Sequence, residues 1–140
     1  MISEDGPTGA ALVEIRTFRD GRGSLSVVEG GVDLPFVPKR LYYLYGADAG
    51  VLRGAHAHRT LKQFLIALNG AAEIEVDDGQ TRRTFRLERP SHGLLLRPVV
   101  WRVIRQLAPD TVLCVLASEN YDEGDYIHDY DEFRELCSRS

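Results

Sequence analysis

Residues 50–70 read GVLRGAHAHRTLKQFLIALNG, and the reading of this stretch decides the fold. Glycines close it at both ends. Between them lie the alternating segment His56-Ala57-His58 and the short, largely apolar run Gln63–Leu68, each of strand rather than helix character. Residues two apart in an extended strand project from the same face, so both imidazoles point into a barrel or both point away from it. Together they make one site.

Working outward, similar β-type runs recur at Leu25–Val28, Arg40–Tyr45, Glu73–Val76, Thr84–Leu87, Leu94–Arg97, Val100–Ile104 and Val112–Ala117. Turn residues separate them. Asp77-Asp78-Gly79 is the clearest hairpin signal, because Asp and Gly tolerate the positive φ angles of tight turns. The tail from Asp129, DYDEFRELCSR, spaces Tyr130, Phe133 and Leu136 for one short helix packed on the sheets. About eight to ten short strands with one terminal helix predict an all-β jelly-roll barrel around a central cavity. The whole chain, 1–140, reads as one such domain, with residues 1–12 as a mobile lead-in.

Composition removes several classes of function. Net charge is −4, and the 17 Lys and Arg residues are dispersed rather than gathered into a basic run, which argues against nucleic acid and anionic membrane as partners. No run approaches the ~18 apolar residues of a membrane span, and the acidic start MISEDGPTG lacks the features of a secretory signal. A cytoplasmic location is expected. Cys114 and Cys137 have neither the number nor the spacing of a disulfide framework or zinc site, so both are read as free thiols.

The spacing around the histidines resembles the first cupin motif: glycine, five residues, HxH, a carboxylate, then a closing glycine. Here Gly50, His56, His58, Gln63 and Gly70 occupy those positions. In metal-binding cupins the glutamate and both histidines ligate a divalent ion, joined by a histidine from a second motif. Gln63 replaces the carboxylate with a neutral amide, which offers no charge to offset the dehydration of a cation. The second-motif region, Gly93 to Ile104, has no histidine after Pro98 and carries Arg102, whose charge opposes a cation. No metal and no cofactor are therefore expected. Freed from a metal, imidazoles that titrate near ~6.5 suit general acid–base catalysis.

Several further stretches join this motif: DGRGSL at Asp20–Leu25, Pro35–Tyr45, RGAHAH at Arg53–His58, the Asp-Asp-Gly turn, Gly93–Trp101, VLAS at Val115–Ser118, and Tyr121–Phe133. In combination they resemble the dTDP-4-keto-6-deoxyhexose 3,4-ketoisomerases, small cupin enzymes of amino-sugar biosynthesis. The resemblance implies a metal-independent homodimer acting on a dTDP-linked keto-deoxysugar. It marks His56 and His58 as catalytic, with the base at carbon 3 assigned to His58 although strand geometry does not separate the two. Tyr42 is expected to donate to the developing oxyanion. Arg22, Arg40, Arg53, Gln63, Arg97, Trp101 and Arg102 are the candidate substrate contacts, Arg40 and Arg53 for pyrophosphate, Arg22 facing the sugar, and Trp101 as a stacking platform or as core. Relatives often place a histidine where this chain has Arg102 and an aromatic where it has Leu95, positions expected to line the sugar pocket. The exchange of an N-terminal strand, Leu25–Val28, between protomers is the expected route to the dimer. Two rival functions remain: a nucleotide-sugar 3,5-epimerase, separable by product analysis, and a non-catalytic sugar-binding cupin, in which replacing His56 would leave binding intact and substrate unchanged.

Overall fold

The computed structural model describes residues 9–139. Twelve strands and one helix follow in order: β1 (Ala10–Glu14), β2 (Arg16–Asp20), β3 (Gly23–Val27), β4 (Arg40–Leu44), β5 (Leu52–His58), β6 (Gln63–Asn69), β7 (Ala72–Asp77), β8 (Arg82–Leu87), β9 (His92–Leu96), β10 (Trp101–Gln106), β11 (Val112–Ala117), β12 (Tyr126–Ile127) and α1 (Tyr130–Ser138). Two antiparallel five-stranded sheets run β1-β9-β6-β11-β4 and β12-β5-β10-β7-β8, while β2 and β3 form a separate hairpin. This is the expected all-β jelly-roll architecture with its C-terminal helix. No described helix is long and apolar enough to cross a membrane.

Strand alternation builds the core. Ala72, Ile74 and Val76 of β7 point inward and are fully buried, and they meet Leu65, Leu94, Leu96 and Leu113 from the facing sheet. The intervening Glu73 and Glu75 point the other way, the period-2 pattern of a sheet with one wet face. Behind the first sheet, Phe64, Ile66 and Leu95 pack beneath Leu34 and Phe36 of the segment between β3 and β4. Gly93 is fixed there by space: a Cβ on it would lie 2.2 Å from Cζ of Phe64. Leu95 is thus core on the outer side of that sheet, not part of a sugar pocket.

Outside the second sheet, Phe133 of α1 is fully buried against Ala57 and Ile127, with Trp101, Tyr130 and Leu136 around it. Asp129 caps the helix, its side chain accepting from the Asp131 N–H, which satisfies one of the donors a helix N-terminus leaves open.

Two corrections follow. Residues 1–8 of the expected lead-in lie outside the described residues, but Ala10–Leu12 belong to β1 and pair with Leu96–Leu94. Alanine is a weak strand former, and partner-strand packing overrides it: Ala11 is buried. Similarly, β2 and β12 lack an apolar run of strand length and exist through their pairings with β3 and β5.

Candidate active site

Strand parity gathers the site at one end of the space between the sheets. Arg102 of β10 pairs with His56 of β5, and Tyr42 of β4 shares the inward face with Leu44 and Arg40. Six of the ten expected site residues meet here: His56, His58, Tyr42, Arg40, Gln63 and Arg102.

The two imidazoles are in direct contact, with His56 Nε2 3.1 Å from His58 Nε2 and the rings nearly perpendicular. His58 is completely buried, and its Nδ1 lies 3.0 Å from Oδ2 of Asp125. Burial, followed by the nearby Arg102 charge, pushes His56 down to about 3 and His58 down to about 4. Both are neutral at physiological pH, as a base must be.

Asp125 is itself held by the turn that follows the histidines, between β5 and β6. Its Oδ1 accepts from the Thr60 N–H and hydroxyl at 2.8 Å each, and its Oδ2 accepts from the Leu61 N–H at 3.3 Å. Burial opposes ionisation of this carboxyl, but the hydrogen bonds from Thr60 and His58 outweigh it and hold it below the usual carboxylate range.

A second polar chain crosses the site. Arg102 Nη1 donates to Gln63 Oε1, and Gln63 Nε2 donates to the Tyr42 hydroxyl at 2.9 Å. With the Tyr42 oxygen accepting, its own proton is left to donate toward a ligand. Burial raises the Tyr42 phenol above its ordinary value, so it stays protonated. Burial also pushes Arg102 down to about 10, which still leaves a full cation at neutral pH.

These donors do not fit a divalent metal. The Gln63 carbonyl is taken by Arg102, whose guanidinium sits opposite His56. Among the described residues no group of three His, Cys, Asp or Glu side chains has the geometry to hold an ion. The arrangement instead favours anionic oxygen: Nε of Arg40 and Nε of Arg102 are buried with no hydrogen-bond partner among the described residues. Arg40 also lines a cleft of about 440 Å³, together with Thr60, Tyr121 and Tyr126 and the carboxylates of Glu119, Asp122 and Asp125. A larger cleft of about 850 Å³ lies under α1, and neither cleft is lined by His56 or His58.

Four expected contacts are not brought to the histidines. Arg22 is exposed in the β2–β3 turn and bonds Asp20. Arg53 is exposed near the start of β5, three residues before His56, where alternation already places it on the other face of the strand. Arg97 is exposed at the end of β9. Trp101 faces outward against Tyr130 and Phe133, which makes it part of the helix-packing core and not a ligand platform.

The model for FdtA, WxcM-like, C-terminal, matches residues 8–138. The chain belongs to this family. Relatives of this FdtA-family protein agree in detail. TDP-4-oxo-6-deoxy-alpha-D-glucose-3,4-oxoisomerase of Aneurinibacillus thermoaerophilus is 38% identical over 128 residues, covering 91% of this chain and 92% of that one. The structure of QdtA, a sugar 3,4-ketoisomerase from Thermoanaerobacterium thermosaccharolyticum in complex with TDP, superposes with a TM-score of 0.91 at 39% identity, covering 94% of this chain and 96% of QdtA. WlaRB, a TDP-quinovose 3,4-ketoisomerase from Campylobacter jejuni, gives a TM-score of 0.88 at 38% identity, covering 91% and 98% of the two chains.

Sequence reasoning missed two residues of this FdtA-family site. Asp125 ends a 3-10 turn, Glu123–Asp125, and Tyr126 begins β12. The Tyr126 ring lies 4.5 Å from that of His58 and 4.9 Å from that of His56, centroid to centroid. The segment YDEGDYI has no period that assigns inward and outward faces. Its only signal is a carboxylate beside aromatics in an irregular turn.

Proposed function

We propose that this chain is a nucleotide-sugar 3,4-ketoisomerase that converts dTDP-4-keto-6-deoxyglucose to a dTDP-3-keto-6-deoxyhexose without a metal. The observation that carries this reading is the chain of hydrogen bonds from His56 through His58 to Asp125, in which both imidazoles are neutral and lie close to the buried Arg102 cation. The activities named for the relatives support the same chemistry.

The hydrogen on carbon 3 is acidified by the ketone on carbon 4. Its removal, with a proton delivered to the carbon 4 oxygen, gives an enediol; a proton then returns to carbon 4 and the carbon 3 hydroxyl loses its own, so the ketone moves with no net gain or loss of protons or electrons. The sequence alone gave the base role to His58, but the geometry favours His56. Both ring nitrogens of His58 are engaged and the residue is fully buried, whereas His56 ends the chain and keeps one nitrogen free. Tyr42 donates to the oxyanion that develops as carbon 3 is deprotonated. Arg102 and Arg40 supply positive charge for that oxyanion and for the diphosphate.

We further propose a cytoplasmic homodimer. The hairpin β2–β3 pairs with neither large sheet and exposes Phe18 and Leu25, apolar surface that suits a second copy of the chain. The test of the activity is incubation with dTDP-4-keto-6-deoxyglucose followed by NMR of the product. A ketone at carbon 3 is the expected result; unchanged sugar, or inversion at carbons 3 and 5 with the ketone still at carbon 4, overturns the proposal.

A further inference from the structure

The hydrogen bonds around His58 admit one arrangement of protons. An ionised carboxylate only accepts, so the contact between Asp125 Oδ2 and His58 Nδ1 at 3.0 Å requires the proton on Nδ1. A neutral His58 then presents a lone pair at Nε2. His56 Nε2, 3.1 Å away, must be the donor in that contact. A neutral His56 with its proton on Nε2 keeps its lone pair on Nδ1. Gly54 borders that nitrogen: a Cβ on it would lie 3.8 Å from Nδ1 and 3.5 Å from Cε1 of His56, so the absence of a side chain leaves room on this edge of the ring.

We infer that Asp125 is a positioning residue that acts through His58 to set the tautomer of His56, so that the lone pair facing substrate is on Nδ1. The same chain accommodates the product of proton abstraction. When His56 Nδ1 takes a proton, its Nε2–H still points at the His58 lone pair and the His58 Nδ1–H still points at the carboxylate. Positive charge on His56 is thereby stabilised through two hydrogen bonds by the Asp125 carboxylate, acting through His58.

The inference rests on the ketoisomerase reading for its activity arm alone, and Asp125→Asn tests it with little change of shape. Asn keeps an oxygen for the Thr60 N–H and hydroxyl but turns an NH₂ toward His58 Nδ1. That nitrogen must now accept, which moves the His58 proton to Nε2, makes His56 Nε2 the acceptor, and places a proton on His56 Nδ1 where the lone pair is needed. An inverted tautomer of this kind in a Ser-His-Asp triad lowers kcat about 10⁴-fold. A loss of roughly 10³–10⁴-fold in kcat with nearly unchanged KM is expected here.

The spectroscopic arm is a long-range ¹H–¹⁵N correlation spectrum of ¹⁵N-histidine-labelled protein near pH 7. In the unmodified protein His56 should be the Nε2–H tautomer and His58 the Nδ1–H tautomer; in Asp125→Asn both should be reversed, with circular dichroism unchanged. The spectrum of the unmodified protein decides the assignment even if the variant fails to fold, and a proton on His58 Nε2 overturns it. Activity lost with tautomers unchanged shows a merely structural Asp125 and also overturns it, as does a variant with normal kcat. If the unmodified protein does not isomerise the sugar, the activity reading fails while the tautomer assignment is still decided on its own.

Discussion

Acidification from pH 7 to pH 5 should destabilise the folded protein through the two histidines, by an amount the structure sets. His56 and His58 are held down to about 3 and about 4 when folded, while an unfolded histidine titrates near ~6.5. Over this interval the unfolded chain binds protons that the folded chain refuses, so stability rises with pH. A histidine that stays neutral when folded loses about 2 kcal/mol of its contribution between pH 7 and pH 5. That figure is insensitive to how far below 5 the folded value lies. The fully buried His58 carries the whole amount and the more open His56 less, for a total of about 2–4 kcal/mol. Carboxylates add little in this window, because unfolded Asp and Glu titrate near ~4. Burial sets most of the effect; the Arg102 charge on β10 adds to it at both rings, with His58 and His128 at His56 and Arg40 at His58, while Asp125 opposes it at His58. The assay is urea unfolding at fixed protein concentration, followed by the single tryptophan, Trp101, which packs between Tyr130 and Phe133. With a slope of about 2 kcal/mol per molar urea, the midpoint should fall by roughly 1–2 M on going to pH 5. His58→Gln should remove about half or more of that difference. A midpoint unchanged between the two pH values in the unmodified protein refutes the account of neutral, buried imidazoles.

Replacing His56 by Asn should leave nucleotide-sugar binding in place while turnover falls about 10²–10⁴-fold. Exchange of the carbon 3 hydrogen in D₂O should cease in the same variant, and exchange at the normal rate would remove His56 from the base role. Exhaustive treatment with EDTA should leave activity intact, since Arg102 occupies the carbonyl of Gln63; activity lost to the chelator and restored by a divalent ion would show that reasoning to be wrong. Light scattering at micromolar concentration should give twice the chain mass of 15.7 kDa, and a monomer mass would leave the exposed Phe18 and Leu25 without the partner proposed for them.

Much of the site was legible because strand alternation is a rule of the backbone. Parity groups His56 with His58 and Arg40 with Tyr42, while Gln63 and Arg102 follow from the spacing of the cupin motifs. Arg53 stands out for leading into the histidine strand and not by parity, and it lies exposed; Trp101, next to the inward Arg102, has its outward side covered by α1. Arg22 and Arg97 came from resemblance and charge, and neither says where a long, flexible side chain ends. Asp125 and Tyr126 escaped because their segment is a short turn and a two-residue strand, placed by contacts with distant residues and not by any local period. Most strands were readable as alternating or apolar runs; β1, with its two alanines, was not.

Asp125 reaches His58 across 67 residues of sequence, yet the piece of chain that delivers it is held only at its end, by the hydrogen bonds of Asp125 and the burial of Ile127. Residues 121–124 are exposed, and β12 contributes only Tyr126 and Ile127 to the sheet. A segment with so few buried contacts opens at a fraction of the free energy needed to unfold the barrel core. Working life and fold life are therefore separate quantities in this protein: heat or denaturant can silence the histidines while the sheets persist. Tighter packing among Ile74, Leu94 and Leu113 would prolong the second and leave the first where it is, and only anchoring the 121–127 strap would extend both.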